Sequence, residues 1–136
     1  MKKINSTALH EAGHMFASKK WGNGYSWATA NPKGLRAGAA GATLVNPVKI
    51  QNRWDARKML YITVAGDVAK DMFSGIRCLR IHHADYEKSR QLASYITNSD
   101  DLKIITACIL KCMKTVSKLF STPKASKEIL RLTKSL

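Results

Sequence analysis

The sequence predicts a mainly α-helical domain with a small β-sheet, an α+β arrangement, over residues 1–136. Two observations lead to this. Several segments space their apolar residues three and four apart, the helical period. Two short β-favouring runs, bounded by Gly, Asn and Pro, follow directly after the first of these segments. A chain of 136 residues, 45% hydrophobic and 24% charged, has the length and composition to bury one core without disulfide staples.

Taken in order, Asn5, Ser6 and Thr7 are good N-cap residues, and an amphipathic helix is expected to follow as far as Lys20. Its apolar face is read as Leu9, Ala12, Gly13 and Phe16. The run Trp21-Gly22-Asn23-Gly24 is a stop signal. Residues 25–30 read as a short strand, Asn31-Pro32-Lys33-Gly34 as a turn, and residues 36–45 as a second strand weakened by its glycines. Helical spacing returns over residues 53–73, through Met59, Leu60, Ile62, Thr63, Gly66, Ala69, Met72 and Phe73, and stops at Ser74-Gly75. Residues 76–82 are a connection. A helix is expected over 84–96, with Tyr86, Leu92, Ala93 and Ile96 inward. Asn98-Ser99-Asp100 closes it and caps the next helix, over 101–120. After the break at Ser121-Thr122-Pro123, residues 124–136 form a short last helix anchored by Ile129, Leu130 and Leu132.

The strongest compositional signal is charge. Twenty-three Lys and Arg against nine Asp and Glu leave a formal +14. Such a surface attracts polyanions, whether nucleic acid, anionic lipid or acidic protein. Lys103, Lys111, Lys114 and Lys118, then Lys124, Lys127, Arg131 and Lys134, make the C-terminal part, residues 98–136, markedly basic. Cys78, Cys108 and Cys112 are too few for a disulfide framework, and Cys108 and Cys112 read as small apolar core residues. No apolar run precedes residue 10 and none approaches the ~18 residues of a membrane span, so neither a signal peptide nor a transmembrane segment is expected. A reducing, cytoplasmic setting follows as the expectation.

The chemistry sits in His10-Glu11-Ala12-Gly13-His14, an HExxH pattern on the first helix. Histidines four apart lie one above the other on a helix face, so two imidazoles can bind one Zn²⁺. Glu11 stands beside the metal position and suits a general base. Ala12 and Gly13 are small enough for close helix packing. A catalytic zinc site takes a third protein ligand. Asp67, Asp71, His82, His83, Asp85 and Glu87 are all candidates, and spacing alone does not choose among them; Asp85 starts a helix, where a carboxylate is favoured.

Four blocks in order add a resemblance. His10-Glu11-Ala12-Gly13-His14-Met15, Ala39-Ala40-Gly41-Ala42-Thr43-Leu44, residues 65–75 (AGDVAKDMFSG) and residues 84–93 (ADYEKSRQLA) resemble the motif helix, strand, second helix and ASND segment of the FtsH-type membrane protease family, over residues 8–97. The resemblance implies a helical zincin-type peptidase domain with a small sheet. It implies Asp85 as the third zinc ligand beside His10 and His14, with Glu11 as catalytic base. It also implies that Ala39, Ala40, Gly41, Ala42, Thr43 and Leu44 bind an extended polypeptide substrate by backbone pairing. The chain departs from the family in having no nucleotide-binding P-loop and no membrane anchor, and in carrying Ala84 where the family has Asn. His82 and His83 stand just upstream as candidates to support the metal or an oxyanion.

The function expected from this reading is zinc-dependent cleavage of flexible or unfolded polypeptides, acidic ones being favoured by the basic surface, with any unfolding supplied by a separate unfoldase. Two rivals stand beside it: an inactive, protease-derived binding or adaptor protein, and a basic nucleic-acid-associated module.

Overall fold

Asn5 caps the first helix by accepting hydrogen bonds from the Thr7 and Ala8 amides. These are donors that the first turn of a helix leaves unpaired. Helix α1 then runs Ser6–Trp21, followed by strands β1 (Tyr25–Thr29) and β2 (Ala42–Val45) and helices α2 (Arg53–Ser74), α3 (His83–Thr97), α4 (Leu102–Phe120) and α5 (Pro123–Ser135). The structure is a computed structural model describing residues 5–31, 33, 35, 40–75 and 83–136. The mainly helical, α+β class is as expected.

Local chemistry accounts for most boundaries. Asn52, Asp101 and Thr122 cap α2, α4 and α5 through their side-chain oxygens. Gly75 ends α2 in the left-handed region, at φ 73°. The two strands pair antiparallel, Thr29 opposite Ala42 and Trp27 opposite Leu44, with an irregularity between Tyr25 and Trp27. β2 is shorter than the expected 36–45. Ala40 and Gly41 are not in the strand, and residues 36–39 lie outside the described residues.

α1 is not the half-exposed amphipathic helix that was expected. It packs against α2 on one side, α5 on another and the hairpin on a third. Ala8, Leu9, Glu11, Ala12, Gly13, His14, Met15, Ala17 and Ser18 are consequently all buried, while Phe16 is only partly so. Phe16 meets Phe120 of α4 edge to face at 5.6 Å, and Trp21 packs on Tyr61 of α2 at 4.8 Å. α3 is also turned differently. Ser89, Leu92, Ala93 and Ile96 face the core, but Tyr86 is exposed, because it lies about 100° around the helix from Asp85, which turns to α1. Ile129 and Leu132 anchor α5 as expected; Leu130 is half-buried.

Among the described residues α1 and α2 make the most extensive contact, and at Gly13 they approach closely. A Cβ on Gly13 would run into the Ala65 carbonyl oxygen and stand 2.8 Å from Ala69 Cβ. Backbone and a short methyl cannot swing aside, so the helices must separate to admit even one carbon. Gly13→Ala is therefore expected to lower stability by about 1–3 kcal/mol despite alanine's better helix propensity. Urea denaturation followed by circular dichroism measures this, and a variant as stable as the parent would contradict the close approach.

Candidate metal centre

The helical repeat puts His10 and His14 on one face of α1, their rings 4.7 Å apart. α2 crosses below that face. Gly66 sits directly beneath both imidazoles: a Cβ there would be 2.6 Å from His14 Nε2 and 2.7 Å from His10 Nε2. The rings can occupy this position only because residue 66 has no side chain.

Each imidazole is oriented through its other nitrogen. His14 Nδ1 donates to the Ile62 carbonyl at 2.8 Å. His10 Nδ1 lies 3.5 Å from Oδ1 of the buried Asp67. Both contacts favour the tautomer with its proton on Nδ1, which leaves the Nε2 lone pairs to converge. Asp85, near the start of α3, completes the group. Its Oδ2 is 3.1 Å from His10 Nε2 and 3.3 Å from His14 Nε2, and the two Nε2 atoms are 3.1 Å apart. In a tetrahedral site with bonds of about 2.0–2.1 Å, neighbouring ligand atoms stand about 3.3 Å apart. The donor triangle therefore has the size that a small divalent ion needs, and His10, His14 and Asp85 could hold one.

Electrostatics agree with the geometry. Three electron-rich atoms face one another, and the set calls for a cation. Burial alone disfavours a charged imidazolium, but the Asp67 and Asp85 carboxylates outweigh it and push His10 up to about 10. Burial likewise opposes ionisation of Asp85, yet hydrogen bonds from His10 and His14 hold its carboxyl well below the usual carboxylate range. A proton and a metal ion would compete for this position.

Glu11 reaches the hairpin from the residue next to His10. It is 95% buried, a costly place for a carboxylate. Thr43 of β2 lowers that cost by donating its hydroxyl to Glu11 Oε1 at 2.8 Å. Gly41 brings the strand close, since a Cβ there would be 3.2 Å from Glu11 Cγ.

Among the residues singled out in the sequence, His10, Glu11, His14 and Asp85 are brought together. Asp67, a candidate third ligand, lies instead behind His10. Asp71 and Glu87 do not enter the triangle. Thr43 is turned to Glu11, Leu44 is exposed, Ala42 lies in β2, and Ala40 and Gly41 precede it. Ala39, His82 and the side chain of His83 lie outside the described residues; His83 opens α3. The supports supplied by Ile62, Asp67 and Thr43 were missed in the sequence. The one available signal was their place inside the segments that also carry the close-packing glycines.

No protein family, curated protein or solved structure matches this chain.

Two outcomes follow. Without a metal ion, protonated His10 contributes stability that is complete below its ordinary value of 6.5 and is lost as the pH rises through about 10. A divalent ion entering the triangle would have to displace that proton, so any affinity for added Zn²⁺ should rise about tenfold per pH unit between about pH 7 and about pH 9; competition titration against a chromophoric chelator measures it, and a flat profile would contradict the proton competition. Asp67→Asn should weaken metal binding by about 10–100-fold while leaving the circular dichroism spectrum unchanged.

Proposed function

We propose that this chain is a zinc metalloendopeptidase that cleaves flexible or unfolded polypeptides, with His10, His14 and Asp85 as ligands and Glu11 as general base. The observation that carries the reading is the ligand-sized triangle with a buried, oriented carboxylate on the adjoining residue. The same His, His, Asp set accepts other divalent ions; Glu11 is what points to hydrolysis, since a purely binding or structural metal site has no use for it. The order of the four sequence blocks supports an FtsH-type peptidase. A reducing, cytoplasmic setting fits the cysteine content.

Zinc held there would polarise a carbonyl and acidify a water. Glu11 accepts the proton of the attacking water as its oxygen bonds to the scissile carbonyl carbon, then passes that proton to the amide nitrogen as the C–N bond breaks. Thr43 keeps the Glu11 carboxylate from rotating away between these transfers. β2 offers an extended substrate a backbone edge next to the same carboxylate. The reaction uses no ATP within this chain, so stably folded substrates need a separate unfoldase. A basic surface favours acidic segments. No described helix is long and apolar enough to cross a membrane.

Glu11→Gln is expected to keep zinc and to lower cleavage of an unstructured protein such as casein by at least about 100-fold. Zinc stoichiometry and peptide release measured on the same preparation check both parts. Cleavage at the parent rate by the zinc-loaded variant would remove the mechanism.

A further inference from the structure

A second site lies away from the metal centre, where α2, α3 and α4 meet. A recess of about 280 Å³ is lined by Arg57, Ile96, Thr97, Ile104, Cys108 and Lys111, among others. Two of these are cations facing the same space. Arg57 is half-buried, and neither it nor Lys111 has an ion-pair partner among the described residues. A guanidinium partly withdrawn from water beside a second cation is unfavourable unless an anion is shared between them. The neighbouring groups do not supply one. The Thr97 hydroxyl gives its hydrogen to the Ala93 carbonyl. The Cys112 thiol beneath the recess is pushed up to about 11, chiefly by burial, and is neutral.

The recess continues into a line of charge. Lys103, Lys111, Lys114 and Lys118 are all exposed, and at 100° per residue they fall within about 80° of the circumference of α4. With a rise of 1.5 Å per residue the line is about 22 Å long. α4 has no acidic residue within Leu102–Phe120; the nearest are Asp100 and Asp101 at its start. A single file of cations fits a linear polyanion. A lipid surface is the poorer match, because the lysines occupy the middle of the exposed arc while Ile104 and Leu110 lie at its margins, so the aliphatics cannot insert without burying charge. The described side chains lining the recess include no aromatic ring, so base stacking has no platform there.

We propose that α4 binds the phosphodiester backbone of nucleic acid independently of sequence, with Arg57 and Lys111 clasping one phosphate in the recess and Lys103, Lys114 and Lys118 following the strand. This is independent of the peptidase reading, since it uses none of that site's residues.

Fluorescence anisotropy with a labelled random-sequence DNA duplex tests it. Four phosphates, one held by the Arg57 and Lys111 pair and one by each of Lys103, Lys114 and Lys118, predict a slope of about −3.6 for log K against log salt concentration. The double variant R57Q/K111Q should lower the steepness by about 1 and the affinity at low salt by at least about tenfold, whereas R57K/K111R should restore binding. The control K124Q/K134Q removes the same charge from α5 and should change the slope much less. Circular dichroism and thermal melting establish that each variant is folded. The proposal is overturned by absence of binding at low salt, by equal losses in R57Q/K111Q and K124Q/K134Q, which would mean diffuse attraction, or by binding to anionic phospholipid vesicles but not to duplex.

Discussion

The rest of this structure depends on how closely α1 and α2 approach. Gly13 brings the α1 backbone against the Ala65 carbonyl, and Gly66 brings the α2 backbone beneath the two imidazoles. Together they set the height of the histidines above α2 to within a fraction of a carbon diameter. At that height His14 Nδ1 reaches the Ile62 carbonyl and His10 Nδ1 reaches toward Asp67. The acceptors that orient the rings both lie on α2, so the packing and the tautomers are one requirement. A helix pair held apart by alanines would present the same histidines with no partner behind them.

That arrangement also decides which carboxylate does what. Asp67 and Asp85 both flank His10, on opposite ring nitrogens. Asp67 is 96% buried on α2 and is fixed by the helix it belongs to. Asp85 arrives on α3, whose inward face of Ser89, Leu92, Ala93 and Ile96 packs on the core and fixes its azimuth. The carboxylate that closes the metal triangle is therefore delivered by core packing two and three turns further along α3. Core substitutions at Leu92 or Ile96 act on the site through that lever, without touching a ligand.

The histidines and Glu11 were legible because HExxH is local: the helical repeat alone puts them together. The caps at Asn5 and Gly75 and the helical segments were legible for the same reason, each resting on residues within one turn. The choice between Asp67 and Asp85 was not, since periodicity along one helix contains nothing about the rotation of the next; only the resemblance selected Asp85. The burial of α1 on three sides was hidden by its composition, where Glu11, His14 and Ser18 read as a polar face although each is buried with its own hydrogen-bond partner or, for Glu11, the Thr43 hydroxyl. The inward reading of Tyr86 failed because an aromatic was taken as core before Asp85 had set the rotation of α3.

α3 connects the two sites argued above and also keeps them apart. Asp85 stands near its first residue and Thr97 is its last, a separation of about 18 Å along the axis. A phosphate held by Arg57 and Lys111 therefore cannot reach His10, His14 or Asp85, and beyond about 10 Å its field is largely screened at physiological ionic strength. Polyanion binding on α4 would thus leave the pKa order around His10 intact and act by location alone, holding the His10, His14 and Asp85 triangle near whatever polypeptides share the same polyanion. Coupling of any other kind would have to move α3 as a rigid body, and its packing against both α2 and α4 opposes that.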